Sequence, residues 1–335
     1  MESEIPLQAR RVNGAGDRRG GNPESKKATH PVPDYRVVEG EPRDCPHSPP
    51  QGRILGELRD DGFGYWAAET RHDPARWTLR YTGICDVTLD RERKTITVHR
   101  SPQADPGLMP VFLEGSVLAH ALTAEGRLVL HASAVEVEGV ALAIVGSPGA
   151  GKSTLAALLC AAGARLVADD ALRVDATDSG TVCFPGSLGL RLRPAAASLG
   201  GRIEAAAVGE TADGRVAVVP ARSAAAPLRL GAVLVPELSR EASTLDVRRL
   251  GAMEGLQELL SYPRLTMWRA SEPIGRLFEL TAEVAQGLPL YRARVPWGPR
   301  AGLAEDLLAS VGLGAASERQ GGDRGAVSAC DRGEA

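Results

Sequence analysis

Aromatic residues are scarce in this chain, with four Phe, four Trp and five Tyr among 335 residues. Ala, Gly and Arg are abundant, and we read the imbalance as a coding bias with no functional content. No run of about 18 apolar residues is present to cross a bilayer. Met1-Glu2-Ser3-Glu4 is acidic and has no apolar signal core. No two of the five cysteines, Cys45, Cys85, Cys160, Cys183 and Cys330, stand in C-x-x-C spacing, which argues against a zinc site. Scattered single thiols suit a reducing compartment, so a cytoplasmic protein is expected. An excess of positive charge is also missing. The net charge of -3 argues against a general binder of nucleic acid or anionic membrane, which would need a basic surface. No internal repeat is visible. What remains is a chain that is 43% apolar, long enough for a sizeable core and two modest domains.

Composition divides the chain. Residues 1–50 are rich in Gly, Pro, Arg, Asp and Ser without periodicity, and are expected to be disordered, as is the tail over 313–335. Residues 51–110 read as a β-rich unit with strands over 53–58, 64–69, 76–81 and 95–100. Residues 111–312 form the main α/β domain. It opens with a helix over 111–123 and a long strand over 127–137. A tight turn at Glu138-Gly139 then leads into an apolar strand over 141–145. Later helices are expected over 252–261, with Met253, Leu256 and Leu260 inward, and over 273–286, with Ile274, Leu277, Phe278 and Val284 inward.

The strongest motif follows the 141–145 strand. Gly146-Ser147-Pro148-Gly149-Ala150-Gly151-Lys152-Ser153 fits G-x-x-x-x-G-K-[ST], and Thr154 continues into a helix over 153–162 that stops at Gly163. Glycines let backbone N–H groups wrap a polyphosphate where a Cβ would obstruct. Lys152 offers a mobile charge to the outer phosphates, and the Ser153 hydroxyl suits a magnesium ion. The helix N-terminus adds partial positive charge beneath the phosphates. ATP and Mg²⁺ are the ligands this pattern implies.

A nucleotide site becomes a catalyst only with a metal relay and a proton acceptor. Asp169-Asp170 supplies two carboxylates at the end of a second buried strand over 165–168. One can bind magnesium, the other can accept a hydroxyl proton. Adjacent strand residues face opposite ways, which allows such a division. His131, a lone ring among apolar residues, is either a satisfied core histidine or a group beside the phosphates. Arg191 is a candidate phosphate or acceptor contact, with a surface salt bridge as the alternative. Arg264, Trp268 and Arg269 lie in a Pro-flanked segment that could cover the site, though core packing is the safer reading of Trp268.

Three blocks together resemble the catalytic domain of HPr kinase/phosphorylase: His131-Ala132-Ser133-Ala134-Val135, the loop 146–153, and Gly163-Ala164-Arg165-Leu166-Val167-Ala168-Asp169-Asp170. The resemblance implies a P-loop kinase fold related to phosphoenolpyruvate carboxykinase, with a mixed sheet. It implies ATP-dependent phosphorylation of a serine on a peptide or small protein. The family's loop lysine and serine fall on Lys152 and Ser153. Its acidic pair falls on Asp169 and Asp170, the second being the proton acceptor, and its strand histidine falls on His131. The family forms hexamers, which leaves a homo-oligomer open here. The bifunctional enzymes carry Glu after the loop serine, where this chain has Thr154, and their second glycine-rich signature is not visible. In its place, Gly189-Leu190-Arg191-Leu192 resembles a segment of shorter kinase-like relatives in modified-peptide pathways. That points away from HPr itself as acceptor and away from phosphorolysis. The alternatives are a non-catalytic ATP-gated module and a small-molecule kinase or carboxykinase-like enzyme.

Overall fold

Alternating apolar and polar residues build a first sheet from the N-terminal third of the chain. The computed structural model describes residues 35–60, 63–298 and 300–313. Six strands, β1 (Arg36–Glu39), β2 (Arg53–Asp60), β3 (Phe63–Thr70), β4 (Asp73–Tyr81), β5 (Cys85–Asp90) and β6 (Thr95–Arg100), lie in the order β1-β6-β5-β4-β3-β2. Strands β2 to β6 are an antiparallel meander, and β1 adds in parallel along β6. Val37 and Val38 of β1 are buried. The expected disorder of residues 1–50 is therefore wrong for 35–50, where two valines suffice to dock a short edge strand. Residues 1–34 and 314–335, the rest of the two expected disordered ends, lie outside the described residues.

Next come α1 (Leu108–Phe112), a π-helical turn (Leu113–Val117) and α2 (Leu118–Ala124). Met109, Leu113, Val117 and Ala121 recur at helical spacing and bury against Leu79, Val87 and Leu89 of the first sheet. The expected boundary at residue 110 thus falls inside a helical stretch that completes the β-rich unit's core.

The second sheet carries the site. Its first strands are β7 (Leu128–Leu130), β8 (Ala132–Val137) and β9 (Val140–Val145), followed by α3 (Lys152–Ala161), β10 (Arg165–Ala168), β11 (Leu172–Thr177) and β12 (Gly180–Cys183). A small third sheet follows from β13 (Leu190–Leu192), the short α4 (Ala197–Gly200), β14 (Ala205–Glu210) and β15 (Val216–Pro220), in the order β13-β15-β14. The chain returns to the second sheet through β16 (Leu228–Ser239) and β17 (Asp246–Arg249). It then forms α5 (Ala252–Ser261), α6 (Ser271–Gly287), β18 (Leu290–Pro296) and α7 (Leu303–Ser310). The second sheet has nine strands and mixes directions: β9 runs antiparallel to β8 and parallel to β16.

Strand β9 is apolar throughout because both its faces are covered. Leu142 and Ile144 pack with Leu155 and Leu159 of α3 and Leu307 of α7. Ala141, Ala143 and Val145 face the opposite layer, with Leu259 of α5 and Val284 of α6. Met253, Ile274 and Phe278, expected inward, are exposed. The expected long strand over 127–137 is broken. β7 pairs with β11 and β8 with β9 and β10, and between them the His131 amide donates to the Tyr262 carbonyl at 2.9 Å. Within the described residues, no helix is long and apolar enough to cross a membrane.

Candidate active site

The turn between β8 and β9 sets up the site. Glu138 and Gly139 both have positive φ, 51° and 84°, which suits a two-residue hairpin turn. Strand β9 then delivers residues 146–151 to the edge of the sheet. Gly149 and Gly151 take φ of 91° and 90°, where a side chain would be strained, and a Cβ on Gly151 would stand 2.7 Å from Leu238. From Gly151 the chain enters α3, so the helix N-terminus faces the cleft.

One cleft of about 340 Å³ is lined by His131, Lys152, Ser153, Thr154, Asp169, Asp170 and Arg191, with Pro148, Gly149, Gly151, Arg193, Arg215 and Arg264. The candidate site residues of the sequence therefore largely meet; Gly146, Ser147 and Ala150 are not among its lining groups. Lys152 is buried, and its Nζ donates to the carbonyls of Gly146 (2.9 Å) and Ser147 (3.1 Å). Burial, offset in part by Asp169 and Asp170, lowers its pKa to about 8.

The two carboxylates have different surroundings. Asp169 is buried among donors. Ser133 Oγ (2.5 Å) and Ser153 Oγ (2.9 Å) donate to Oδ1, and the Arg191 amide (3.1 Å) donates to Oδ2. Burial pushes its carboxyl above the ordinary value, against the Ser133 and Arg191 hydrogen bonds, which favour the charge. Asp170 instead meets guanidinium groups, Arg191 at 2.9 Å and Arg264 at 2.9 Å. Burial alone would raise its carboxyl, but Arg264 and then Arg191 outweigh it and hold the group below its usual value. The two side chains do not divide by strand alternation as expected. Both line the cleft, because Asp170 follows the strand with a φ of 76° and turns back toward it.

His131 Nδ1 lies 3.7 Å from Asp170 Oδ1, beyond hydrogen-bond reach. Burial, then Lys152, lowers its pKa to about 4, so the ring is neutral near pH 7. Arg191 is no surface bridge. It reaches Asp170 from β13, in a run where Leu190 and Leu192 turn to the core.

Several residues in or against the cleft carry no signal in the sequence motifs. Ser133 is quoted there only as part of a block, yet it holds Asp169. Arg264, weighed only as part of a covering segment, is one of the two cations on Asp170, and its Nε is buried without a partner. Its segment is tied to the first sheet, with Glu57 N donating to Met267 O at 3.0 Å and Arg269 N to Leu55 O at 2.8 Å. Gly115, in the π-helical turn, is packed so closely that a Cβ would stand 2.7 Å from Asp170 Oδ2 and 3.1 Å from an Arg264 nitrogen. Only the absence of a side chain admits that approach.

A hard cation takes oxygen ligands, and the Ser153 hydroxyl beside the Asp169 carboxylate fits one. Among the described residues no cluster of three or more His, Cys, Asp or Glu could hold a metal. A cation here would draw its remaining ligands from phosphate and water.

No family model and no curated relative matches the chain. Among solved structures it is similar to the Hpr(Ser) kinase/phosphatase from Coxiella burnetii, at 11% identity over 55% of this chain and 93% of that one, with a TM-score of 0.29. A likeness that low in TM-score carries no weight here for fold or function.

Proposed function

We propose that the protein is an ATP- and Mg²⁺-dependent kinase of the HPr kinase type that phosphorylates a serine hydroxyl on a peptide or small protein. The observation that supports this reading is the meeting of Lys152, Ser153, Asp169 and Asp170 around one cleft at the N-terminus of α3. On this reading residues 146–154 are a P-loop that holds the polyphosphate through backbone N–H groups, with Lys152 on the outer phosphates. Ser153 and Asp169 would hold magnesium, which when bound would supply charge neutralisation on the phosphate oxygens. Asp170 takes the proton from the serine hydroxyl. The serine oxygen forms its bond to the γ-phosphorus as the bond to the β–γ bridging oxygen breaks, and ADP leaves with that electron pair.

Asp170 is a poor base while two guanidinium groups hold it. Phosphate oxygens compete for Arg191 and Arg264 and draw them off the carboxylate, which raises its proton affinity once the nucleotide is seated. The base is thereby switched on by the donor substrate. His131, neutral, contributes a dipole and no charge to the cleft.

The test is phosphate transfer from radiolabelled ATP to serine-bearing peptides, with Asp170→Asn as control. Labelling that survives this substitution in single turnover would remove the base from the mechanism. The contact of Gly115 with Asp170 and Arg264 favours a second reading, an ATP-gated module whose β-rich unit senses the nucleotide. Tight ATP binding without transfer to any peptide or metabolite would select it.

A further inference from the structure

Two arginines beside the third sheet are left unused by the mechanism above. Along β13 and the extended residue after it the side chains alternate: Leu190 and Leu192 bury against α3, while Arg191 and Arg193 both line the cleft. The β13–β15 ladder pairs Leu190 with Val218, Arg191 with Ala217 and Leu192 with Val216. Arg193 follows the last residue of β13 and Arg215 precedes the first of β15, and both line the cleft. Two guanidinium groups lining one cleft repel each other. Arg215 is partly relieved by Asp213 at 3.2 Å. Arg193 pairs with no carboxylate among the described residues and is exposed. Its guanidinium lies over the tip of the glycine-rich loop, where a Cβ on Gly149 would be 3.4 Å from one terminal nitrogen and 3.6 Å from the other.

We propose that Arg193 and Arg215 form a second anion-binding subsite, which seats the outermost phosphate of a polyphosphate whose inner phosphates rest on the loop. The proposal rests on the nucleotide reading of residues 146–153. Lys152 approaches from the loop, and Arg193 approaches from the third sheet over the loop's tip. A phosphate shared by the two arginines turns their repulsion into attraction and suits the planar fork of a guanidinium. The subsite therefore distinguishes a triphosphate from a diphosphate, and its effect grows with chain length.

The test is titration calorimetry of the full chain with inorganic tripolyphosphate, pyrophosphate and orthophosphate, which removes any contribution from a base. Arg193→Met should weaken tripolyphosphate by about tenfold or more and pyrophosphate by less than about threefold, as expected for one charge-assisted contact. Arg193→Lys should recover part of the loss, and Arg215→Met should show the same pattern at smaller size. Arg193 is exposed, so the variant should fold, and an unchanged melting temperature checks this. If Lys152→Ala abolishes binding while Arg193→Met stays within about twofold of the parent, the subsite is wrong and the loop reading stands. Equal losses on pyrophosphate and tripolyphosphate overturn the assignment to the outermost phosphate. If Lys152→Ala also leaves every affinity unchanged, the loop reading falls and the subsite falls with it.

Discussion

The inner and outer halves of the cleft solve opposite problems with the same side chain. Inside, Asp169 is surrounded by two hydroxyls and an amide, all donating. Outside, Asp170 is surrounded by two guanidinium groups and a neutral imidazole. The inner half gathers oxygen atoms of the kind a hard cation takes, and its two hydroxyl donors can rotate. The outer half is a carboxylate held in check by charges that a phosphate would claim. Two neighbouring aspartates acquire opposite electrostatic surroundings, with no help from sequence position.

Removing the outer carboxylate tests that contrast most severely. Asp170→Asn keeps the shape, abolishes the base and frees Arg191 and Arg264. Transfer should fall by about 10²–10⁴ in kcat, the usual contribution of a positioned base, while ATP affinity holds or tightens. A loss of ATP binding would mean that Asp170 serves the phosphates and not the proton.

Asp169→Asn should cost less in rate, about 10–10² through lost metal positioning, and should cost stability too. The introduced amide places an N–H₂ among donors, leaving buried groups unpaired at about 1–3 kcal/mol. Urea unfolding reads the second effect, and ATP affinity with and without magnesium reads the first. An unchanged magnesium dependence would take the cation away from Asp169.

Gly115→Ala probes the contact between the two regions. The added methyl must displace Asp170 or Arg264, so kcat should fall by about tenfold or less with the first sheet intact. Normal activity would show that the outer half tolerates movement.

How legible all this is depends on how local each feature is. The loop, the strand before it, the helix after it and the acidic pair sit within 30 residues and follow one another, so pattern reading finds them. Arg264 and Gly115 reach Asp170 across large sequence gaps, by packing that no local pattern encodes. The φ of Asp170 is likewise set by its surroundings, since aspartate adopts that conformation only on occasion. Strand β14 is a run of small residues, mostly exposed and without polar–apolar alternation, which hid the third sheet and the two arginines beside it. The run Gly189-Leu190-Arg191-Leu192-Arg193 does alternate, and that two-residue period is the one clue available. Helices α5 and α6 were assigned an inward face from periodicity alone. The exposed Met253, Ile274 and Phe278 show that an apolar stripe does not say which side the sheet occupies.

The smallest expected effect is a proton. Lys152 has a pKa of about 8 in the cleft, lowered chiefly by burial from an ordinary 10.5. The unfolded chain holds that proton more tightly, so between about pH 8 and 10.5 the unfolded state binds more protons and this lysine makes folding more favourable as pH rises. A polyphosphate does the reverse, favouring the charged ammonium and raising its pKa. Binding should then be flat with pH below 8, weaken above it, and take up a fraction of a proton near pH 8.5. Calorimetry in two buffers of different ionisation enthalpy measures the uptake directly. Lys152→Arg stays charged throughout and should lose it. A lysine still protonated at pH 9 before polyphosphate is added would give no uptake in the parent either. The contrast with the outer half would then narrow, since burial would no longer be weakening a charge that the ligand restores.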